Sequence, residues 1–315
     1  MEAVLQKRDL RDAVVGALTA AAAAGENVIV LVSDSTSTSK IGAFATAYPD
    51  RLVNVGIAEQ NLVGISAGLS LQGFVPVTMN AACFLVNRSN EQVKNDICYS
   101  NTNVKLIGLN AGVTYGPLAS THHSIDDLSI MKGFGNIQIW APSDAVEAEQ
   151  MMRAALAMVG PVYLRLDNAS FPVLHDENYR FVPGEPDVLV EGGRDLTLVA
   201  IGSVVHEAVA AAAELKAQGV DAGVISVPTL RPLNRDALAV LLSKTKNVIT
   251  VEEHTVAGGL GSTVAEVLAE NGIATRFRRL GIPEGKFAVS GPRDKIRAQY
   301  SLDKAGIVAI GLAKR

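Results

Sequence analysis

Short apolar, β-branched runs recur along the chain, each separated from the next by a stretch with helical spacing. Val28–Val32, Leu52–Val55, Val75–Met79, Val104–Leu109, Ile137–Trp140 and Val162–Leu166 form a first series, and Leu196–Ile201, Ala222–Ser226, Val248–Val251 and Thr275–Leu280 a second. Near-continuous apolar strands that alternate with helices imply parallel βαβ units covered on both sheet faces. The expected fold is therefore α/β: two three-layer domains, each with a mainly parallel sheet, the second smaller than the first. Asp9 is placed to cap a helix running through Ala13–Ala24, and Ser143, after Pro142, to cap another through Met158. Between the two series the pattern breaks around Asn168–Gly193 into Pro, Gly and charges, as a linker does. The expected division is a first domain over 1–170, a linker over 171–192 and a second domain over 193–315.

Composition narrows the class of partner. With 48% of its 315 residues apolar, the chain can bury two substantial cores. Its net charge of −4 comes from interspersed acids and bases without a long basic run, which argues against nucleic acid or an anionic membrane as the main partner. Cys83 and Cys98 fit neither a CxxC motif nor a disulfide framework, and read as buried thiols in a reducing compartment. Met1–Arg11 is charged where a signal peptide is apolar, and Ala20–Ala24 is too short to span a bilayer, so the expected location is the cytoplasm.

The most informative segment is Asn54-Val55-Gly56-Ile57-Ala58-Glu59-Gln60-Asn61, followed by Gly64, Gly68 and Gly73. It puts a carboxylate at the start of a helix, at the C-terminal edge of a strand, where open parallel sheets place ligands. Glycines at i and i+4 let that helix approach a neighbour closely, as a tight subunit contact requires. By itself Glu59 reads equally as an acid favoured by the helix dipole. The whole string, however, resembles the GxxExxxxGxxxG signature of the pyrimidine-binding domain of thiamine-diphosphate enzymes, particularly transketolase and deoxyxylulose-phosphate synthase.

The resemblance continues in family order through Ser33-Asp34-Ser35, Asn95-Asp96, Thr121-His122-His123-Ser124-Ile125-Asp126-Asp127 and Ala141-Pro142-Ser143-Asp144. It implies a thiamine-diphosphate pyrimidine-binding domain followed by a transketolase C-terminal-like domain. In the family the glutamate hydrogen-bonds a ring nitrogen of the cofactor's aminopyrimidine, and the chemistry needs an acid held in a dry pocket. Glu59 is thereby expected to activate the cofactor, with Asp34 and Phe84 also at the cofactor site. His122 is expected to face substrate and assist proton transfer, with His123 beside it. Arg165, at a strand end, is placed to grip an anionic substrate group through a forked contact, or to form a salt bridge.

Departures from the family pattern matter. The aromatic stretch that stacks on the pyrimidine reads Met79-Asn80-Ala81-Ala82-Cys83-Phe84, leaving Phe84 as its matching aromatic. Leu118 stands where transketolases carry a sugar-reading aspartate, and Asn110 where a histidine helps grip phosphate. These changes favour a donor or acceptor other than a common pentose phosphate: a branched, deoxy or sulfonated sugar, or a carrier-bound acyl unit. The GDG motif that holds metal and diphosphate in this family is missing. The expected partner is thus a separate N-terminal, diphosphate-binding subunit, which would hold Mg²⁺ through hard oxygen ligands; no metal is assigned to this chain, and a heterotetramer with self-association through the C-terminal half is expected.

The resulting expectation is a transketolase-like transferase that moves a two-carbon ketol unit from a ketose or ketose phosphate to an aldehyde and acts only with its partner. Two alternatives stay open: the β subunit of a 2-oxoacid dehydrogenase first component, and a noncatalytic α/β interaction subunit. Gly258-Gly259-Leu260-Gly261-Ser262, before a helix, reads either as a backbone anion site or as tight packing. His254 is not assigned to catalysis.

Overall fold

A computed structural model describes residues 6–313; the expectations placed on Met1–Leu5 lie outside the described residues. The chain divides into two compact units, residues 1–111 with 130–181, and residues 112–129 with 182–315.

The first unit contains β1 (Lys7–Asp9), β2 (Val28–Val32), β3 (Leu52–Asn54), β4 (Val75–Ala81), β5 (Lys105–Leu109), β6 (Gln138–Trp140), β7 (Val162–Arg165) and β8 (Ser170–Pro172). Six of these lie in the order β6-β7-β5-β4-β2-β3, and every pairing among them is parallel. β2 and β5 are buried at every position, as strands covered on both faces must be. The order reverses over β2: the chain crosses from β2 to β3 on one side, then back to β4 on the other. That reversal is a topological switch point, the place where open parallel sheets receive ligands at the C-terminal strand ends.

Helices Leu10–Ala23 and Ala145–Ala157 bury Val14, Leu18, Met151 and Met152 against the sheet in one core. Asp9 caps the first, accepting from Arg11 N at 2.9 Å. The second is capped by Asp144 and not by Ser143: Asp144 Oδ1 accepts from Glu147 N at 2.9 Å, and the Glu147 carboxylate reaches back to Ser143 N and Oγ at 2.7 and 2.8 Å. Asp144 Oδ2 also accepts from Leu174 N and His175 N, fastening the following segment to the helix start. Asp144→Ala removes a cap and leaves buried amides unsatisfied. It is expected to cost about 2–4 kcal/mol, read as a lowered urea midpoint.

The second unit contains β9 (Asp187–Val190), β10 (Leu196–Ala200), β11 (Ala222–Ser226), β12 (Thr229–Arg231), β13 (Asn247–Thr255) and β14 (Arg276–Ile282). Its sheet runs β14-β13-β10-β11-β9, parallel except for β9 on β11. The stretch expected as a linker therefore carries an edge strand, because the apolar Val188-Leu189-Val190 run finds a partner in β11. Among the described residues no helix is long and apolar enough to cross a membrane.

Candidate active site

In the first unit, three strand ends are stapled together by the Ser33-Asp34-Ser35 turn that follows β2. Ser33 Oγ donates to Gly56 O at 2.5 Å and accepts from Ala58 N at 2.9 Å, joining β2 to the segment after β3. Ser35 Oγ donates to Met79 O at 2.7 Å, joining β2 to β4. Asp34 has φ 54° and is exposed; its amide and that of Gly56 both donate to Asn54 Oδ1 at 3.0 Å. Gly56 itself has φ 73°, a left-handed conformation that glycine adopts without strain, and this turn aims the chain into helix Glu59–Leu71.

Glu59 opens that helix and is only 2% exposed. Its Oε2 accepts from Arg88 Nη1 at 2.6 Å, and the Arg88 guanidinium carbon lies 4.6 Å from the centroid of the Phe84 ring. Phe84 and Arg88 bound a single π-helical turn, Phe84–Arg88, that follows β4. Glu59 and Phe84, singled out separately in the sequence, thus meet through a residue that sequence reasoning missed. The signal was available: four residues along a helical turn put Arg88 on the face of Phe84. A carboxylate shielded from water beside an aromatic face can hold a planar nitrogen heterocycle and share a proton at its edge.

At neighbouring strand ends lie Asn80, whose buried Nδ2 has no hydrogen-bond partner, and Asn110, with φ 55° and an equally unsatisfied Oδ1. Arg165 closes β7, is buried, and lies opposite Gly108 in the parallel register.

The histidine loop belongs to the second unit. Gly112 and Ser124 exchange backbone hydrogen bonds at 2.9 Å, Val113 N donates to Glu253 Oε1 at 2.9 Å, and Thr255 N donates to Ile125 O at 2.7 Å. Val113 and Ile125 pack with Ile282, Ala288 and Ile296. On this scaffold His122 is half-buried, with Nδ1 2.9 Å from Thr121 Oγ1 and its ring edge-on to Tyr115. His123 is buried, and Nε2 lies 3.1 Å from Gly116 O. Burial pushes the His123 pKa below the usual histidine value, outweighing the carbonyl of Gly116 and the charge of Glu253. The ring is then neutral at pH 7, with Nε2–H donating to Gly116 O and an unsatisfied Nδ1 able to accept from a hydroxyl.

Two further sequence features resolve in the same unit. The amides of Leu260 and Gly261, at the start of helix Leu260–Glu270, donate to the Glu252 carboxylate at 2.7 and 2.8 Å. A side chain of the protein itself therefore fills the place an anion would take. His254 is fully buried, its Nδ1 donating to Thr255 O at 2.7 Å. A cleft of about 1110 Å³ lined by Leu196, Val248, Ile249, Phe277 and Arg276 touches none of the predicted site residues.

Two known domain families match most of the chain. Residues 6–172 match the transketolase pyrimidine-binding domain, and residues 184–307 match the transketolase C-terminal domain. The chain belongs to the transketolase family. It is 53% identical to one of the subunits of the apulose-4-phosphate transketolase of Actinobacillus succinogenes, over 92% of this chain and 93% of that one. It is 34% identical to a 6-deoxy-6-sulfo-D-fructose transketolase subunit of Clostridium sp. over 98% and 94% of the two chains. Among solved structures, a split-gene transketolase described as an inactive β4 tetramer superposes with a TM-score of 0.87 at 35% identity, covering 98% of each chain. By their names, these relatives are parts of transketolases divided between chains.

Proposed function

We propose that this chain is the pyrimidine-binding subunit of a split, thiamine-diphosphate-dependent transketolase, transferring a two-carbon ketol unit from a ketose phosphate to an aldehyde. The observation that carries the reading is that buried Glu59 and the Phe84 face are joined through Arg88, on segments that follow the strands where strand order reverses. That donor set fits an aminopyrimidine: an aromatic face to stack on and a carboxylate to meet a ring nitrogen. When bound, the cofactor supplies the nucleophilic carbon that two-carbon transfer requires.

Glu59 holds and shares the proton at the ring nitrogen. Asp34 sits on the exposed turn above the stapled strand ends, within the proposed cofactor-binding set. His122 moves protons at the substrate, His123 accepts from a substrate hydroxyl through Nδ1, and Arg165 binds an anionic group. Mg²⁺ and the diphosphate are assigned to a separate N-terminal partner chain, which the naming of the relatives as single transketolase subunits supports.

Association is supported by surface features. Ile57, two residues before Glu59, is 76% exposed. A Cβ at Gly68 would meet nothing within 4 Å and one at Gly64 only Asp96 Oδ2 at 3.8 Å, so packing within the chain calls for neither glycine. Both fit a helix face reserved for another subunit, and we propose a heterotetramer of two copies of each chain.

Apulose 4-phosphate, for which two of the relatives are named, is the first donor to test; the Leu118 and Asn110 departures support an unusual donor. This chain co-purified with its partner is expected to transfer the ketol unit from it faster than from xylulose 5-phosphate, with this chain alone inactive. Preference for xylulose 5-phosphate would overturn the substrate assignment, and absence of any ketol transfer with either donor would overturn the activity.

A further inference from the structure

Arg88 contacts both of the residues proposed to seat the aminopyrimidine. Its Nη1 donates to Glu59 Oε2 at 2.6 Å, and its guanidinium carbon lies 4.6 Å from the centroid of the Phe84 ring. A guanidinium is planar, presents N–H donors along its edge and stacks on aromatic faces, the same features by which an aminopyrimidine would be recognised. An aminopyrimidine that meets the same carboxylate oxygen and stacks on the same ring face would have to take the place of the guanidinium.

We propose that Arg88 is a displaceable plug: it holds the seat formed by Glu59 and Phe84 and swings out when thiamine diphosphate enters. The inference rests on the cofactor reading of that seat. Two features make the side chain displaceable. It is 46% exposed, whereas Glu59 is 2% exposed, so the guanidinium can turn into water while the carboxylate stays in place. It also stands at the end of the π-helical turn, next to Ser89, where the backbone leaves helical geometry with φ −103° and ψ 26°.

The plug lowers the observed affinity for the cofactor, because only the open fraction of the protein binds. A half-exposed ion pair and a partly exposed cation–π contact are each modest, so the closed form outweighs the open one by only about 2- to 30-fold and the effect is a reduction and not a block. It also gives Glu59 a charged partner at times when its carboxylate is not engaged by a ring nitrogen. Arg88 is accordingly a positioning residue, acting through Glu59.

The test is the dissociation constant of thiamine diphosphate, measured by calorimetry with Mg²⁺ on the purified complex of the two chains. Arg88→Met keeps the apolar stem and removes the charge; it is expected to bind about 3- to 30-fold more tightly than wild type. The ratio should shrink toward one when salt is raised to about 0.5 M, because the ion pair is screened. Arg88→Lys, a charge without the planar fork, should fall between the two, and carries the comparison should the methionine variant fail to assemble. Equal or weaker binding by the variants, with wild type binding normally, overturns the plug and leaves the cofactor reading intact. No binding by the wild-type complex overturns both.

Discussion

Glu59→Ala in the assembled two-chain enzyme is expected to lower kcat/KM for ketol transfer by at least roughly 10²–10⁴-fold, the scale of a positioned acid–base group. The effect should be catalytic and not structural. Glu59 is buried, but Arg88, to which it is paired, is nearly half exposed and can rehydrate, so breaking that pair should cost only about 0–1 kcal/mol of stability. Steady-state turnover and the urea midpoint, measured on the same preparation, separate the two. Near-normal turnover would remove Glu59 from the mechanism, and a collapse of the midpoint would make it a structural residue.

Glu253→Ala is expected to have the opposite profile, a large loss of stability that originates far from the proposed cofactor seat in sequence. Glu253 lies on β13 and is 2% exposed. Its Oε2 accepts from Arg297 Nε at 2.5 Å and from Arg293 Nε at 3.2 Å, while Oε1 accepts from Arg293 Nη2 at 3.0 Å and from Val113 N at 2.9 Å. Both guanidinium groups also donate to Ser203 Oγ at 3.0 Å. Removing the carboxylate takes a close ion-pair partner from two largely buried cations, with Glu207 Oε1 still 3.9 Å from Arg297, and leaves the Val113 amide unsatisfied; breaking such a pair from one side costs about 3–5 kcal/mol. The same bond to Val113 anchors the loop that carries His122 and His123. The urea midpoint of the chain should fall accordingly; a loss below about 1 kcal/mol would show that water enters and rehydrates the cluster.

The strands were legible because parallel strands buried on both faces leave unbroken apolar runs, as Val28–Val32 and Lys105–Leu109 do. Edge elements were not. β9 is half-buried throughout and sits among Pro, Gly and charges, so its run carried no clear period. The Asp144 cap was missed although Asp144 and Glu147 have the spacing of a reciprocal cap, because Ser143 beside it is an equally good cap by residue type.

At the site, the glutamate motif and Phe84 were readable as local patterns. Arg88 was not singled out although its spacing from Phe84 is local, because its bond to Glu59 spans 29 residues. The hold of Glu253 on the histidine loop was hidden for the same reason: 140 residues separate it from Val113. The Gly258–Ser262 segment left two readings open because a helix start accepts any carboxylate, and only folding shows that Glu252 supplies it.

The central claim is that this chain contributes the pyrimidine half of a thiamine-diphosphate site completed by a second chain. The most direct test is calorimetric titration of thiamine diphosphate with Mg²⁺ into this chain, into its diphosphate-binding partner, and into their purified complex. Saturable binding by the complex and by neither chain alone is the predicted result; no binding by the complex, or equally tight binding by this chain alone, would contradict it.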